Sequence, residues 1–216
     1  CLLLGTPGQY GLNSLAEILT GEASPSGRLS DTWCYKNLAA PAMWNFTPVA
    51  YENAKEMGVP DNGDTYQVYQ EGIYIGYRYF ETRYEDFIMG TGNAGDYQYK
   101  NTVAFPLGYG LSYTEFQWDN MSTHYDAAQD AFEISITVTN TGNRSGKEVV
   151  QIYGRSPYTD YDKEVSVEKA AVILCGYGKT KLLAPGESQE LTVTFELTNL
   201  ESYDPAKAAY VLEAGE

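Results

Sequence analysis

Residues 132–139 read Phe-Glu-Ile-Ser-Ile-Thr-Val-Thr, so that an apolar side chain alternates with a polar one along the whole stretch. Because successive side chains of a β-strand point to opposite faces, this period of two places the apolar set on one face. The turn-forming residues 140–143, Asn-Thr-Gly-Asn, follow at once. The stretch therefore predicts a strand that packs on one side and ends in a turn.

Further strand patterns follow along the chain. Strands are predicted at residues 148–153, 172–174, 191–195 and 210–212. Short strands separated by turns are typical of an immunoglobulin-like or fibronectin type III-like β-sandwich. We therefore predict such a sandwich over residues 116–216.

The beginning of the chain has a different pattern. Residues 2–4, Leu-Leu-Leu, predict a short buried strand, and residues 5–11 predict a glycine-rich turn. Asn13 is expected to cap a helix that Gly21 terminates, and residues 29–33 are expected to run extended. Strand, turn and helix in this order indicate an α/β unit.

The middle of the chain is rich in turn formers and tyrosine. Residues 35–68 have weak periodicity and predict a long surface excursion, and residues 81–104 predict a second loop. Residues 69–80 are aromatic and β-branched with glycines between, which predicts a strand or a bent extended segment. Residues 105–114 predict a rigid connector into the sandwich.

The composition excludes several kinds of function. The chain of 216 residues carries 29 acidic and 14 basic side chains, a net charge of −15, which repels phosphate backbones and disfavours nucleic-acid binding. No apolar run is long enough to span a bilayer. The three cysteines and the single histidine, His124, show no metal-ligand spacing, so no metal or cofactor is predicted.

Both ends of the sequence indicate an incomplete protein. The chain opens at Cys1 without an initiator methionine, and its last residues, 210–216 (YVLEAGE), read like a strand or a turn that is cut short. We therefore expect a fragment or a processed piece.

Five collinear segments resemble glycoside hydrolase family 3, the family of β-glucosidases and β-xylosidases. The first combines Gly8-Gln9-Tyr10-Gly11 with the Ser-Pro-Ser-Gly-Arg-Leu run of residues 24–29. The others are residues 69–80 (YQEGIYIGYRYF), 105–114 (FPLGYGLSYT), 138–153 (VTNTG followed by GKEVVQIY) and 183–188 (LAPGES).

This resemblance implies a multidomain retaining glycosidase that acts on β-linked glucosides or related oligosaccharides. Residues 1–115 would be the C-terminal part of an α/β sandwich domain with long loops and a connector, and residues 116–216 the fibronectin type III-like domain. The family's aspartate nucleophile lies in a barrel domain, and its acid/base glutamate precedes the segment that begins at Gly8. Both would lie outside this chain, with the missing barrel as its partner, and the sequence leaves the domain order open.

Three residues of the chain itself are candidates for a site. Asp31 in Ser-Asp-Thr-Trp resembles the family's nucleophile motif, but Thr32 interrupts the motif and we reject Asp31 as the nucleophile. Glu71 and Tyr69 are the candidate substrate-binding residues at a site rim. The alternative for Glu71 is a structural ion pair with Arg78, whose guanidinium can hold a carboxylate through two hydrogen bonds.

Two other functions remain open at this point. Residues 116–216 could be a free-standing carbohydrate-binding or adhesion module with an exposed aromatic platform. They could also be a purely structural sandwich that braces the other domains. In either case the 216 residues alone are expected to be inactive as a glycosidase.

Overall fold

The computed structural model describes residues 2–8, 10–60 and 63–214. The predictions that involve Cys1, Gln9, the turn at 61–62 and the last two residues lie outside these described residues. Among the described helices, none has the length and apolar character that a membrane crossing requires.

The first half of the chain contains few long elements. Its helices are α1 (Gly11–Thr20), α2 (Tyr77–Met89) and α3 (Tyr99–Thr102). Its strands are all short, and they are β1 (Trp33–Cys34), β2 (Val49–Ala50), β3 (Thr65–Tyr66) and β4 (Val103–Phe105). β1 pairs with β4 and β2 pairs with β3, both antiparallel. Residues 35–60 otherwise form turns, loops and two short 3₁₀ segments, as the weak periodicity predicts.

Two predictions for the start of the chain are wrong in part. Residues 2–4 are exposed and form no strand, because no described strand lies beside them to bond their backbone groups. Helix α1 begins at Gly11 and not after Asn13, since the Asn13 N–H already bonds the Tyr10 carbonyl in a helical turn. Its end at Gly21 is confirmed, where the left-handed backbone (φ 77°) returns the N–H to the Glu17 and Ile18 carbonyls.

The prediction of an extended segment at residues 69–80 is wrong for its last four residues, which begin α2. The prediction of a loop at residues 81–104 is wrong for residues 81–89, which complete that helix, and for residues 99–104, which form α3 and the first two residues of β4. Aromatic residues favour strands only where a pleated surface receives them. Here Phe80 is buried on one face of the helix instead.

The second half of the chain is the predicted sandwich. Its strands are β5 (Phe116–Asp126), β6 (Ala131–Asn140), β7 (Val149–Gly154), β8 (Ile173–Lys179), β9 (Ser188–Glu196), β10 (Ser202–Asp204) and β11 (Ala209–Val211). One antiparallel sheet has the order β5-β6-β9, the other pairs β7 with β8, and β10 and β11 form a hairpin. A short helix, α4 (Asp160–Val165), lies between β7 and β8 and was not predicted from the sequence.

The sandwich core confirms the alternation in residues 132–139. Ile136 and Val138 of β6 are buried and pack with Val150 of the second sheet and with Leu183. The polar partners of the same strand face outward, where Ser135 shares a hydrogen bond with Thr192 across the β6–β9 pair. Two sheets thus share one apolar layer, which is the defining feature of a sandwich.

Several bonds fasten the two halves together. Arg28 donates to Glu148 at 2.6 Å, and both side chains are largely buried. The Arg144 guanidinium donates to the Gly21 carbonyl at 2.6 Å. Farther along, the hydroxyl oxygens of Tyr77 and Thr82 on α2 accept the backbone N–H groups of the segment that enters β8. Helix α2 therefore packs against the sheet formed by β7 and β8.

Candidate functional site

Tyr69 and Glu71 lie in an irregular segment that leads into α2. Tyr69 is 82% exposed, and Glu71 is partly buried. The Glu71 carbonyl accepts the Tyr74 N–H at 2.9 Å, so the chain turns sharply between them. The ion pair between Glu71 and Arg78 is absent from the described residues, and the Arg78 Nε approaches the Tyr77 hydroxyl at 3.4 Å instead. The ion-pair alternative is therefore wrong.

Gln70 fixes the position of this segment against the preceding loop. Its side-chain amide donates to the Pro41 carbonyl at 2.9 Å and accepts from Asn45 at 2.9 Å. The same loop carries Trp44, whose ring is exposed while its Nε1 donates to the Leu38 carbonyl. Gln70, next to Tyr69, is anchored to the loop, and Trp44 is anchored through its own Nε1. Both Tyr69 and Trp44 are exposed aromatic side chains on this anchored part of the structure.

A groove of about 550 Å³ lies beside Gln70 and Trp44. Arg83 and Tyr97 close it on the inside, and the guanidinium lies over the rings of Tyr79 and Tyr97 at 5.7 and 5.6 Å from their centres. The Tyr97 hydroxyl and the Arg83 Nε are buried without a hydrogen-bond partner within the described structure. Burial and the charge of Glu81 raise the pKa of Tyr97, so its hydroxyl stays neutral and can donate.

A larger cleft of about 1040 Å³ separates α2 from the segment that follows β7. From the first half of the chain it is lined by Tyr79 and Thr82 of α2 and by Asn93, and from the sandwich by Tyr158 and Ala171. The two sides meet where the Ala171 N–H bonds the Thr82 hydroxyl at 2.9 Å. Tyr74, three residues after Glu71, also lines it. Burial, followed by the charge of Glu168, raises the pKa of the Tyr74 phenol. The cleft is thus bounded by the first half of the chain and by the sandwich.

A buried cluster of charges lies against this cleft. Lys169 donates to Asp162 at 2.7 Å, to the Pro157 carbonyl at 2.9 Å, and to Glu213. Burial alone would raise the pKa of Asp162, but the bonds from Lys169 and Thr159 outweigh it and hold that pKa below its ordinary value. Burial alone would lower the pKa of Lys169, but Asp162 and Glu213 raise it above the ordinary value. Asp162 and Lys169 are consequently ionised at neutral pH.

Asp31, the rejected nucleophile candidate, is exposed, and its Oδ1 accepts the Thr32 N–H at 2.7 Å. Over residues 2–8, 10–60 and 63–214 no group of three or more His, Cys, Asp or Glu side chains is close enough together to hold a metal ion. Sequence reasoning missed Trp44, Arg83, Tyr97 and Tyr158. No motif marks these residues, and only the clustering of aromatic residues in the loops hinted at them.

The chain is a two-part protein, in which an α/β segment of short elements is fastened to a two-sheet β-module and a cleft lies between them. Such a fold does not by itself establish a function. Comparison with known families identifies the two parts. Residues 1–77 match the glycosyl hydrolase family 3 C-terminal domain, and residues 148–216 match the fibronectin type III-like domain. The chain therefore carries a glycosyl hydrolase family 3 C-terminal domain followed by a fibronectin type III-like domain.

The relatives agree with this assignment. The chain is 37% identical to beta-glucosidase A of Butyrivibrio fibrisolvens over 93% of its own length and 22% of that protein. It is 36% identical to a beta-glucosidase of Ruminococcus albus, covering 97% of this chain and 18% of the relative. The chain therefore spans about a fifth of the length of these relatives.

Solved structures show the same correspondence. A beta-glucosidase from Paenibacillus barengoltzii superposes with a TM-score of 0.72 at 35% identity, over 95% of this chain and 19% of that one. Beta-glucosidase 3B from Thermotoga neapolitana, solved in complex with glucose, superposes with a TM-score of 0.67 at 31% identity, over 93% of this chain and 23% of that one. The predicted combination of an α/β remnant and a fibronectin type III-like sandwich is confirmed.

Proposed function

We propose that this chain forms part of a retaining, exo-acting β-glycosidase that hydrolyses terminal β-glucosides. The observation that carries the proposal is the alignment of nearly the whole chain with enzymes named beta-glucosidases. A retaining glycosidase needs a nucleophile and an acid/base whose carboxyl groups stand ~5–5.5 Å apart. We propose that both come from parts of the enzyme outside residues 1–216, the nucleophile from a barrel domain.

The carboxyl groups that meet inside the chain are unsuited to this chemistry. Asp162 and Glu213 both bind Lys169. A general acid requires a raised pKa so that it holds a proton at working pH. The pKa of Asp162 is lowered instead, and its side chain is buried. This cluster therefore braces the fold.

We further propose two functional units within the chain. Residues 1–115 would be the closing part of the α/β sandwich domain, and residues 116–216 the fibronectin type III-like domain that supports it. The buried Arg28–Glu148 pair and the bonds from α2 to the segment before β8 suit a bracing role, because they fix the first half on the sandwich.

Tyr69 and Glu71 are proposed to lie at the rim of the substrate site. The exposure of Tyr69 and the anchoring of its neighbour Gln70 support this, since an exposed aromatic ring offers a sugar an apolar face. Glu71 would accept hydrogen bonds from sugar hydroxyls, which its freedom from Arg78 permits.

The test is an activity transfer. Residues 1–216 alone should not hydrolyse an aryl β-glucoside, whereas beta-glucosidase A with its matching segment replaced by residues 1–216 should. In that chimera Tyr69→Ala and Glu71→Gln should raise KM about tenfold, with the equally exposed Tyr10→Ala as the control. Turnover by the isolated chain would contradict the placement of the catalytic pair, and unchanged KM in both variants would remove Tyr69 and Glu71 from the site.

A further inference from the structure

The cleft between α2 and the sandwich has no role in the function proposed above. Its volume of about 1040 Å³ is at the upper end of the usual range for small-molecule sites, and such sites occur preferentially where two structural units meet. Its walls come from residues some 80 positions apart in the chain, Tyr79 and Thr82 on one side and Tyr158 and Ala171 on the other.

The charges around the cleft decide which ligands it can hold. Arg155 is paired with Glu85 at 2.6 Å, Lys163 with Asp160 at 2.8 Å, and Lys169 with two carboxylates. Each of these cations already has an anionic partner. An anion such as phosphate would have to compete with these carboxylates.

The remaining charges do not change this balance. Arg83 donates to the side-chain oxygen of Asn93 and to the Ala94 carbonyl, both at 3.1 Å. Asp86, which accepts from the Thr91 hydroxyl, adds a negative charge to the same lining. The lining holds four cations (Arg83, Arg155, Lys163 and Lys169) and two carboxylates (Glu85 and Asp86). Three more carboxylates, Asp160, Asp162 and Glu213, pair with these cations from outside the lining, so the cleft and its partners together have no excess of positive charge.

What the cleft offers is aromatic surface beside neutral polar groups. Tyr158 is 53% exposed, and its hydroxyl makes no hydrogen bond within the described residues. The Lys163 ammonium lies over one face of its ring, 6.0 Å from the centre, which leaves the other face for a ligand. The Asn93 side chain uses its oxygen for Arg83, which leaves its NH₂ group to donate. A ring face together with uncharged donors and acceptors suits a ligand with apolar faces and hydroxyl edges.

We propose that this cleft binds a neutral oligosaccharide, with Tyr158 as the stacking residue. This cleft differs from the aromatic platform that the sequence suggested within residues 116–216, because about half of the residues that line the cleft come from the first half of the chain. Binding in this cleft requires no catalytic group, so it can be tested independently of the proposed glycosidase activity.

The experiment measures binding to residues 1–216 by isothermal titration with cellopentaose, with inorganic phosphate as the anionic probe. Cellopentaose should bind saturably and phosphate should not. Tyr158→Ala should raise Kd at least tenfold, and Tyr158→Phe should restore binding because the ring is kept. Ala171→Trp, which places a bulky side chain where the two sides of the cleft meet, should also abolish binding.

Tyr177→Ala is the matched control, because Tyr177 is an exposed tyrosine of the sandwich that does not line the cleft. Each variant is first shown to unfold at the temperature of the parent chain. The proposal is overturned by absence of saturable cellopentaose binding, by phosphate binding more tightly than the sugar, or by cellopentaose binding that neither Tyr158→Ala nor Ala171→Trp weakens.

Discussion

The neighbours Leu182 and Leu183 show that burial determines how much a leucine contributes to stability. Leu183 is fully buried in the sandwich core, whereas its neighbour Leu182 is 58% exposed. Leu183→Ala should lower the free energy of unfolding by about 2–5 kcal/mol, since it removes buried methyl groups and leaves a cavity. Leu182→Ala should cost below about 1 kcal/mol. Urea denaturation of both variants checks this, and equal losses would contradict the assignment of the core.

Asp204 makes the stability of the folded chain depend on pH in the acid range. The Lys207 ammonium is the largest influence on this buried carboxyl, and with Tyr161 and two backbone N–H groups it lowers the pKa to about 2 in spite of burial. An unfolded Asp has a pKa of about 3.9. The folded state therefore binds fewer protons, and the stabilisation is complete above about pH 4 and is lost as pH falls towards 2.

Asp204→Asn should consequently flatten the fall of the urea midpoint between pH 4 and pH 2. Glu190→Gln, at an exposed carboxylate of β9, should leave that slope as it is in the parent chain. A slope that Asp204→Asn does not change would show that Asp204 makes no such contribution.

Helix α2 is the element on which both clefts depend, and its end is set by Gly90. This residue has a left-handed backbone (φ 66°), and a Cβ added to it would meet nothing within 4 Å. Gly90→Ala should therefore cost about 1 kcal/mol from backbone strain alone. Gly27→Ala is the control, since its Cβ also has open space and its φ is not positive. Thermal unfolding should separate the two variants, and matching stabilities would argue against this helix end.

At the scale of the whole molecule, the Arg28–Glu148 pair joins the two halves. The side chains are 15% and 12% exposed, so Arg28→Met leaves a nearly buried carboxylate without its partner. This should cost about 3 kcal/mol. Lys181→Met breaks the exposed Lys181–Glu187 pair and should cost below about 1 kcal/mol. Urea unfolding followed by tryptophan fluorescence, which reports on Trp33 and Trp44 in the first half and Trp118 in the sandwich, provides the measurement.

If the halves are coupled as the structure shows, Arg28→Met should also make the first half unfold before the sandwich. Two separate transitions in the variant, and one in the parent chain, are the expected outcome. A single transition with unchanged midpoint in Arg28→Met would contradict the bracing role proposed for residues 116–216.

The sequence by itself determined the sandwich and the end of α1. Alternation in residues 132–139 assigns each side chain to a face without knowledge of any other segment, because the strand period is fixed by backbone geometry. Gly21 likewise ends a helix through its own backbone freedom. The tertiary structure alone decided that the aromatic run at 77–80 is helical, that Arg78 does not bind Glu71, and that Tyr79 and Tyr158 face one cleft. Each of these depends on which distant surface a side chain meets, and a local pattern carries no information about that surface.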